Sequence, residues 1–326
     1  MKKIKTIDLF AGCGGLSLGL QKAGFHIVGA VDNWEPAVET YKQNFNDHEI
    51  FNMDLNDINL SIDELKKFEA DLIVGGPPCQ DFSHAGKRDE GRGRADLTVA
   101  YAKIISGLRP KWFIMENVDQ ITKSNKLTEA KSIFKNANYG LSQKILDASL
   151  CGVPQKRKRF FLIGILDGED DELIPFIEER ISIKPMTLRD YFGDKLGVDH
   201  YYRHPRNYNR RGVFSVDEPS PTVRGVNRPL PKGYPGHSLD ATKDLKSVRP
   251  LTTKERAQVQ TFPEEFIFVG SKTEIEQQIG NAVPVNLAQF VGSCLLDYIT
   301  APKKVIAAKK ALLEKKAGTL ELATLF

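Results

Sequence analysis

A strand pattern, a glycine-rich turn and a helical pattern open the chain in that order, and this order limits the possible folds most. Residues 3–10 alternate like a strand, AGCGG follows, and residues 16–23 have helical periodicity. Residues 27–31 then predict a second strand that ends at Asp32, and residues 35–45 a second helix. Further strands are predicted at 71–74, 112–115 and 159–165, and helices at 97–107 and 127–136. Strands that alternate with helices favour a parallel, doubly wound α/β sheet, in which ligands bind beyond the carboxyl ends of the strands.

The alternation stops between residues 184 and 272, where Pro, Gly, Arg and Tyr dominate, and a second, smaller domain is predicted there. Helical periodicity returns at 274–278, and after GNAVP an apolar helix at 285–299 is suited to packing back on the first domain. The large domain is therefore expected to be discontinuous, with segments 1–183 and 273–300. Residues 301–326 form a basic tail to which we assign no function.

Positive charge is concentrated locally although the net charge is only +4. Residues 203–256 contain 12 Lys/Arg against five Asp/Glu. Their arginines lie among glycines and prolines, which suggests a surface that faces phosphates. On charge alone, a solvated loop is equally compatible.

The cysteines and the apolar segments limit the class of protein. Cysteines 13, 79, 151 and 294 show no paired spacing, and only six histidines accompany them. Neither a disulfide framework nor a zinc site is supported, so we expect free thiols and no metal. No apolar stretch approaches the roughly 18 residues of a membrane span, and no signal-peptide core follows the N-terminal Met-Lys-Lys. We expect a cytoplasmic protein without membrane partners.

One cysteine stands in an unusual position, in GGPPCQDFS at residues 75–83. It follows a short apolar run, DLIV, so Cys79 is predicted just beyond a buried strand. Two prolines would hold the thiol in a rigid, non-helical turn. The reactivity of a free cysteine usually matters more than its packing. These residues alone are equally compatible with a rigid strand-end turn and with a presented nucleophile.

The glycine loop predicts a nucleoside cofactor. A dinucleotide fingerprint is not met, because Ser17 stands where the third glycine or an alanine is required, and this disfavours nicotinamide cofactors. Asp32 nevertheless lies 20 residues beyond Gly12, the spacing at which a carboxylate reaches ribose hydroxyls. Asp54 could accept a hydrogen bond from an adenine amino group. The alternative is a tight turn with two surface acids.

Six blocks of the sequence resemble, in the same order, those of the cytosine-C5 DNA methyltransferases of bacterial restriction-modification type. The blocks are DLFAGCGGLSLGL (8–20), GGPPCQDFS (75–83), ENV (116–118), PQKRKRFFLIG (154–164), LTTKERAQVQTFPEEF (251–266) and QIGNAVPVNLA (278–288). They span nearly the whole chain. The resemblance implies a Rossmann-like S-adenosylmethionine-dependent methyltransferase domain and a target-recognition domain at 184–272.

The resemblance also implies the catalytic chemistry. Cys79 would add as a thiolate to cytosine C6, and Glu116 would bind N3 and the exocyclic amine as a general acid. Arg157 and Arg159 would share one face of an extended segment and hold the base's carbonyl oxygen, the catalytic carboxylate or a phosphate. A solvated basic edge is the alternative for these two arginines.

The cofactor would be S-adenosylmethionine, with S-adenosylhomocysteine as product. The residues expected to bind it are Phe10, Gly12, Gly14, Gly15, Asp32, Asp54, Pro78 and Asn281. The family often has an aromatic residue directly after the ribose-binding acid. Here Asn33 takes that place and Trp34 follows, so either Phe10 or Trp34 is left as the aromatic partner of adenine.

The expected substrate is a cytosine flipped out of a short site in double-stranded DNA. Residues 80–95 suit a loop that closes over the base, although Arg92-Gly-Arg94-Ala95 departs from the family's common Asp-x-Arg-Gly. SPTVRG at 220–225 resembles the Thr-bearing recognition segment. Expected DNA contacts are Gln80, Ser83, Arg94, Thr222, Arg224 and Arg228, with Arg206, Arg210 and Arg211 as further candidates. The enzyme is expected to act as a monomer on DNA, as an orphan methylase or beside a cognate restriction endonuclease.

Three other functions compete with this one. An RNA methyltransferase of the same superfamily would typically have Thr where Ser83 stands, and a Cys-Phe-Thr segment that is lacking here. A binding module with a dead active site would be expected to have lost Cys79, Glu116 or the glycine loop. A nicotinamide oxidoreductase is disfavoured by Ser17.

Overall fold

The computed structural model describes residues 3–78 and 97–301, and its centre is a seven-stranded sheet. The strands are β1 (Lys5–Leu9), β2 (His26–Asp32), β3 (Glu49–Asn52), β4 (Leu72–Gly75), β5 (Trp112–Val118), β6 (Tyr139–Asp147) and β8 (Lys158–Leu166), with a short β7 (Gln155–Lys156) just before β8. Their order in the sheet is β3-β2-β1-β4-β5-β8-β6.

Helices cover both faces of this sheet. The α-helices of the described residues are α1 (Gly15–Ala23), α2 (Glu35–Asn44), α3 (Ile58–Lys66), α4 (Leu97–Leu108), α5 (Asn125–Asn136), α6 (Ile174–Arg180), α7 (Leu188–Phe192), α8 (Thr253–Val259), α9 (Lys272–Asn281) and α10 (Val285–Thr300). On β5, Phe113 and Met115 pack into a core with α3, α4 and α5, whereas Ile114 packs into a core with α1, α6 and α10. Alternate residues of the strand thus enter separate cores, which confirms the doubly wound α/β fold.

The expectation of an entirely parallel sheet is wrong at one edge. The pairings among β3, β2, β1, β4 and β5 are parallel, but β8 pairs antiparallel with both β5 and β6. Only the turn at Ala148–Leu150 and β7 lie between β6 and β8, and a parallel return needs a crossover of a dozen or more residues. The short connection therefore requires β8 to run back beside β6.

The segment after residue 184 has little regular structure, as the break in alternation predicts. A three-stranded sheet contains β9 (His200–Tyr202), β10 (Val213–Ser215) and β12 (Arg249–Pro250), and β11 (Ser220–Pro221) pairs with β7 of the large domain. One buried cluster contains Tyr201 and Phe214 together with Cys13 and Ile279, so residues of both predicted domains share a core. The boundaries of the domains stay a prediction.

Helix α10 returns to the large domain and packs against α1. A Cβ built on Gly19 would lie 2.4 Å from Cβ of Ala288 and 2.4 Å from the Val285 carbonyl oxygen, so the helix axes approach closely there. The expectation that no apolar stretch approaches the length of a membrane span is wrong for one segment: within the described residues, the helical stretch Lys272–Thr300 has that length and apolar composition. Of its apolar window, 67% is buried inside the protein, as in a core helix.

Candidate active site

A cavity of about 550 Å³ lies beyond the carboxyl ends of β1, β2, β4 and β5. The glycine loop and the segment between α9 and α10, which are distant from each other in sequence, both line this cavity. Its lining includes ten of the residues predicted for catalysis and cofactor binding: Phe10, Gly12, Gly15, Asp32, Asp54, Pro78, Glu116, Arg157, Arg159 and Asn281. The fold thus brings most of the predicted site together at the edge where open α/β sheets bind ligands.

The glycine loop is held by the acid at the end of β2. Asp32 accepts hydrogen bonds from the backbone N–H of Gly12 (2.8 Å) and of Trp34 (2.9 Å). Burial raises the pKa of Asp32, and these backbone donors act in the opposite direction. Phe10, Gly12 and Gly14 all have positive φ, which folds the loop sharply before α1.

Gly14 packs beneath the loop. A Cβ on Gly14 would lie 2.4 Å from the Phe45 ring, and the residue is outside the cavity lining. A contact between Gly14 and a cofactor stays a prediction. A Cβ on Gly12 would meet nothing within 4 Å, so its backbone is open to a ligand.

The cofactor half of the cavity has the chemistry of a nucleoside site. Asp54 begins a turn in which its Oδ1 accepts from the backbone N–H (3.0 Å) and the side-chain amide (2.7 Å) of Asn56. Asp32 and Asp54 offer carboxylate acceptors, whereas Phe10 and Trp34 offer aromatic surface in the same lining. The hydroxyl and amino groups of a nucleoside can donate hydrogen bonds to these carboxylates, and its base can pack against these aromatic rings.

Glu116 and Arg159 line the cavity together as an ion pair. In the antiparallel pair β5–β8, Glu116 lies opposite Phe161, so Arg159 is its diagonal neighbour on the same face. Arg159 Nε lies 2.8 Å from Glu116 Oε1, and Glu116 is 8% exposed. Burial raises the pKa of Glu116, while the charges of Arg159 and Arg157 oppose that rise. A carboxyl in these surroundings can hold a proton and is fixed in orientation.

Arg157 turns inward like Arg159 but has different partners. It is 1% exposed, and it donates to the carbonyl oxygens of Val223 (3.0 Å), Gly280 (2.9 Å) and Ala282 (3.2 Å). Burial lowers its pKa. Lys156 precedes Arg157, and Lys158 lies between the two arginines. Both lysines are exposed, as expected for an extended segment in which side chains alternate between two faces.

Asn117 is a site residue that the sequence analysis did not identify. Its Nδ2 donates to the Pro77 carbonyl oxygen at 2.7 Å, and its Oδ1 accepts from the Val118 N–H at 2.8 Å. The amide therefore fastens the Pro77–Pro78 turn to β5, directly before Cys79. The position of Asn117 in the ENV block could have drawn attention to it. The sequence does not show, however, which carbonyl oxygen its amide binds. Cys79, Gln80, Ser83 and Arg94 lie outside the described residues.

The predicted DNA-contacting residues of the second domain lie outside the cavity lining. Thr222 Oγ1 donates to the Lys156 carbonyl oxygen at 2.9 Å. Arg224 donates to the His204 carbonyl oxygen, and Arg228 lies 3.5 Å from His204 Nε2. Among the residues that the structure describes, no group of three His, Cys, Asp or Glu side chains could hold a metal ion.

Comparisons with known proteins agree with this geometry. The chain is 58% identical over 300 residues to the "Type II methyltransferase M.HindV" of Haemophilus influenzae, with 92% of this chain and 98% of that protein covered. It is 55% identical over 300 residues to the "Type II methyltransferase M.HgiDI" of Herpetosiphon aurantiacus, covering 92% and 96%. The crystal structure of the S. pombe Dnmt2 methyltransferase superposes with a TM-score of 0.66 at 19% identity, over 92% of this chain and 100% of that one, and supports the fold.

The sequence model described as "C-5 cytosine-specific DNA methylase" matches residues 4–296. With this match and the closely similar relatives, the chain belongs to the C-5 cytosine-specific DNA methylase family and is a DNA (cytosine-5)-methyltransferase.

Proposed function

We propose that this enzyme methylates C5 of a cytosine flipped out of a short duplex site, through a transient bond between Cys79 and C6. One observation supports the proposal most. The buried Glu116–Arg159 pair lines the same cavity as the cofactor acids Asp32 and Asp54. Pro78, the residue before Cys79, lines that cavity as well. A base and a methyl donor could therefore meet in one enclosed space.

The proposed cofactor is S-adenosylmethionine, which supplies the methyl group when bound. Asp32 would accept from the ribose hydroxyls and Asp54 from the adenine amine. Phe10 and Trp34 would border the adenine, whereas the backbone at Gly12 and Gly15, with Pro78 and Asn281, would border the methionine end. The open surface at Gly12 supports this arrangement, as does the presence of the Asp32 and Asp54 carboxylates in one cavity lining.

The proposed chemistry begins with the Cys79 thiolate. Its sulfur forms a bond to C6 while the C5=C6 π pair moves to C5, which becomes nucleophilic enough to accept a methyl group. The proton on Glu116 neutralises charge that develops at N3, and Arg159 holds the carboxyl in place. Loss of the C5 proton to a base then restores the double bond as the S–C6 bond breaks. The raised pKa of Glu116 supports its role as a proton donor.

The depth of the site supports the proposal that the target base is flipped out of the duplex. Glu116 is only 8% exposed, so a cytosine stacked inside a duplex cannot reach it. Extruding the base costs a few kcal/mol of unstacking. Gln80, Ser83 and Arg94 are proposed to contact the DNA around the gap, and Thr222, Arg224 and Arg228 to contact it from the second domain.

We further propose that the enzyme is the modification half of a Type II restriction-modification system. The support is the naming of the relatives at 58% and 55% identity as Type II methyltransferases. A restriction endonuclease that cuts the same site would be the functional partner, and the enzyme would act as a monomer on DNA.

The test incubates the protein with methyl-labelled S-adenosylmethionine and either plasmid DNA or total tRNA, and then maps the modified cytosines. We expect label in DNA, at C5 of cytosines in one recurring short site. Cys79→Ser should abolish turnover, whereas Cys151→Ser, at a buried thiol packed in the core, should retain it. Label in tRNA alone would overturn the DNA substrate, and full activity of Cys79→Ser would overturn the nucleophile.

A further inference from the structure

Two buried bridges connect the recognition segment to the cofactor pocket, and both hold the backbone of Val223. This residue lies between Thr222 and Arg224, which are proposed to contact DNA. The far ends of both bridges lie on residues 279–282, the turn that contains Asn281. The bridges therefore span two functional segments more than 50 residues apart.

Arg157 is the first bridge. One of its terminal nitrogens donates to the Val223 carbonyl oxygen, and the other donates to the carbonyl oxygens of Gly280 and Ala282. The planar guanidinium holds these partners in fixed relative positions, which a lysine ammonium on a flexible stem cannot do.

A pair of buried glutamines forms the second bridge. The Val223 N–H donates to Gln155 Oε1 at 2.8 Å, and Gln155 Nε2 donates to Gln260 Oε1 at 2.6 Å. Gln260 Nε2 then donates to the carbonyl oxygens of Ile279 (2.6 Å) and Ala282 (3.1 Å). Gln155 and Gln260 are each 0% exposed, so water does not compete for these bonds.

The two segments also touch directly. A Cβ on Gly280 would lie 2.2 Å from the backbone nitrogen of Gly225. Arg256 adds a third connection, because it donates to the Arg224 carbonyl oxygen and pairs with Glu276 of α9. Neither segment can shift without disturbing the other.

We infer that Arg157 and the Gln155–Gln260 pair are positioning residues that couple recognition of the DNA site to cofactor binding. This inference rests on the proposed function. When specific DNA orders the segment 222–224, the bridges order the turn at Asn281. The protein then loses less conformational entropy when the cofactor binds. By reciprocity, bound cofactor tightens specific DNA binding by the same factor.

The test measures the Kd of S-adenosylhomocysteine by calorimetry on two duplexes: one carrying the mapped methylation site, and one of equal composition with the site permuted. In the wild type we expect binding about tenfold tighter on the site duplex, within the usual range of coupling. Arg157→Lys keeps the charge but breaks the bridge, and should reduce this ratio to about twofold or less. Because the ratio compares two duplexes on the same variant, any direct effect of the substitution on the turn at Asn281 cancels.

Glu172→Gln is the control, since Glu172 is 1% exposed and bonds to Glu169 and Tyr298, remote from both segments. It should retain the wild-type ratio. Should Arg157→Lys fail to fold, Gln260→Met breaks the second bridge and gives the same measurement. An unchanged ratio in the bridge variants, or no coupling in the wild type, overturns the inference. Failure of the proposed function would be seen separately, as a wild type that leaves the site duplex unmethylated.

Discussion

At the scale of single residues, the surroundings of Glu116 decide its chemistry more than its identity does. Burial favours the protonated carboxyl, and the guanidinium of Arg159 at 2.8 Å favours the carboxylate. The raised pKa indicates that burial dominates. The proposed delivery of a proton to cytosine N3 needs this balance, because a freely ionised glutamate would have none to give.

Removal of Arg159 should shift the pH dependence of methylation upward. The rate should fall as pH rises through the pKa of Glu116, because the protonated form is lost. Arg159→Gln removes the charge that lowers this pKa, so the alkaline limb of the rate profile should move to higher pH. The maximum rate should fall about 10²-fold, because the carboxyl loses its orienting partner. Single-turnover rates across pH measure both effects.

Lys158→Gln is the matched control, because Lys158 is the exposed cation next to Arg159 in sequence. Its alkaline limb should coincide with that of the wild type. An alkaline limb that stays in place or moves to lower pH in Arg159→Gln would contradict the electrostatic account of Glu116.

Sequence patterns could place Asp32 and Glu116 at the site, because Asp32 ends a predicted strand 20 residues after Gly12 and Glu116 lies in the ENV block. The role of Arg157 could not be predicted in this way, because its partners Val223 and Ala282 lie 66 and 125 residues away. The same holds for Asn117, whose partner Pro77 lies 40 residues earlier. Sequence gives the residue type, whereas these partners exist only once the chain has folded.

At the scale of elements, close contact between α1 and α10 joins two parts of the chain that are distant in sequence. Both helices were predicted from their periodicity, and α10 packs against α1, whereas the division of the chain into domains stays a prediction. By contrast, β3 was not predicted, because its four residues are exposed or half-buried and show no apolar run. The reversal of β8 was missed as well, since a strand's own sequence does not state its direction.

Gly19→Ala should destabilise the protein although alanine favours helix by about 1 kcal/mol. The new Cβ would lie 2.4 Å from the Val285 carbonyl oxygen, so backbone must move, at a cost of about 1–3 kcal/mol or more. Gly107→Ala in α4 is the control, because its Cβ would meet the Ile62 side chain, with Cδ1 at 2.4 Å, and no backbone atom is among its three nearest neighbours. Urea unfolding should show a lower midpoint for the first variant and an unchanged or higher one for the second. A midpoint for Gly19→Ala at or above that of Gly107→Ala would contradict the close packing of these helices.

At the scale of the whole molecule, positive charge is exposed along the segment 206–228. Arg206, Arg210 and Arg228 are exposed and, within residues 3–78 and 97–301, pair with no carboxylate. Their charges surround Arg224 and lower its pKa, as burial does to a larger extent. Such a cluster is unfavourable in the free protein and is relieved by phosphates.

Each of these three arginines should contribute to the salt dependence of DNA binding. Changing one of them to Gln should weaken binding and reduce the slope of log Kd against log salt by about one if that residue contacts a phosphate. Arg189→Gln is the control, because Arg189 is already paired with Asp194, Asp199 and Asp217. Titrations at several salt concentrations measure the slopes. Slopes that match the wild type in all three variants would remove this surface from the DNA interface.

The most direct measurement of the central claim is covalent trapping of Cys79 on its target base. Fluorine at C5 cannot leave as the proton does, so a duplex with 5-fluorocytosine at the mapped site should hold the S–C6 bond in place once the methyl group is transferred. We predict a protein–DNA adduct that survives denaturing electrophoresis, with the modified base on the peptide that contains Cys79, and no adduct for Cys79→Ser. A wild type that methylates the ordinary duplex but forms no adduct with the fluorinated one would contradict the account.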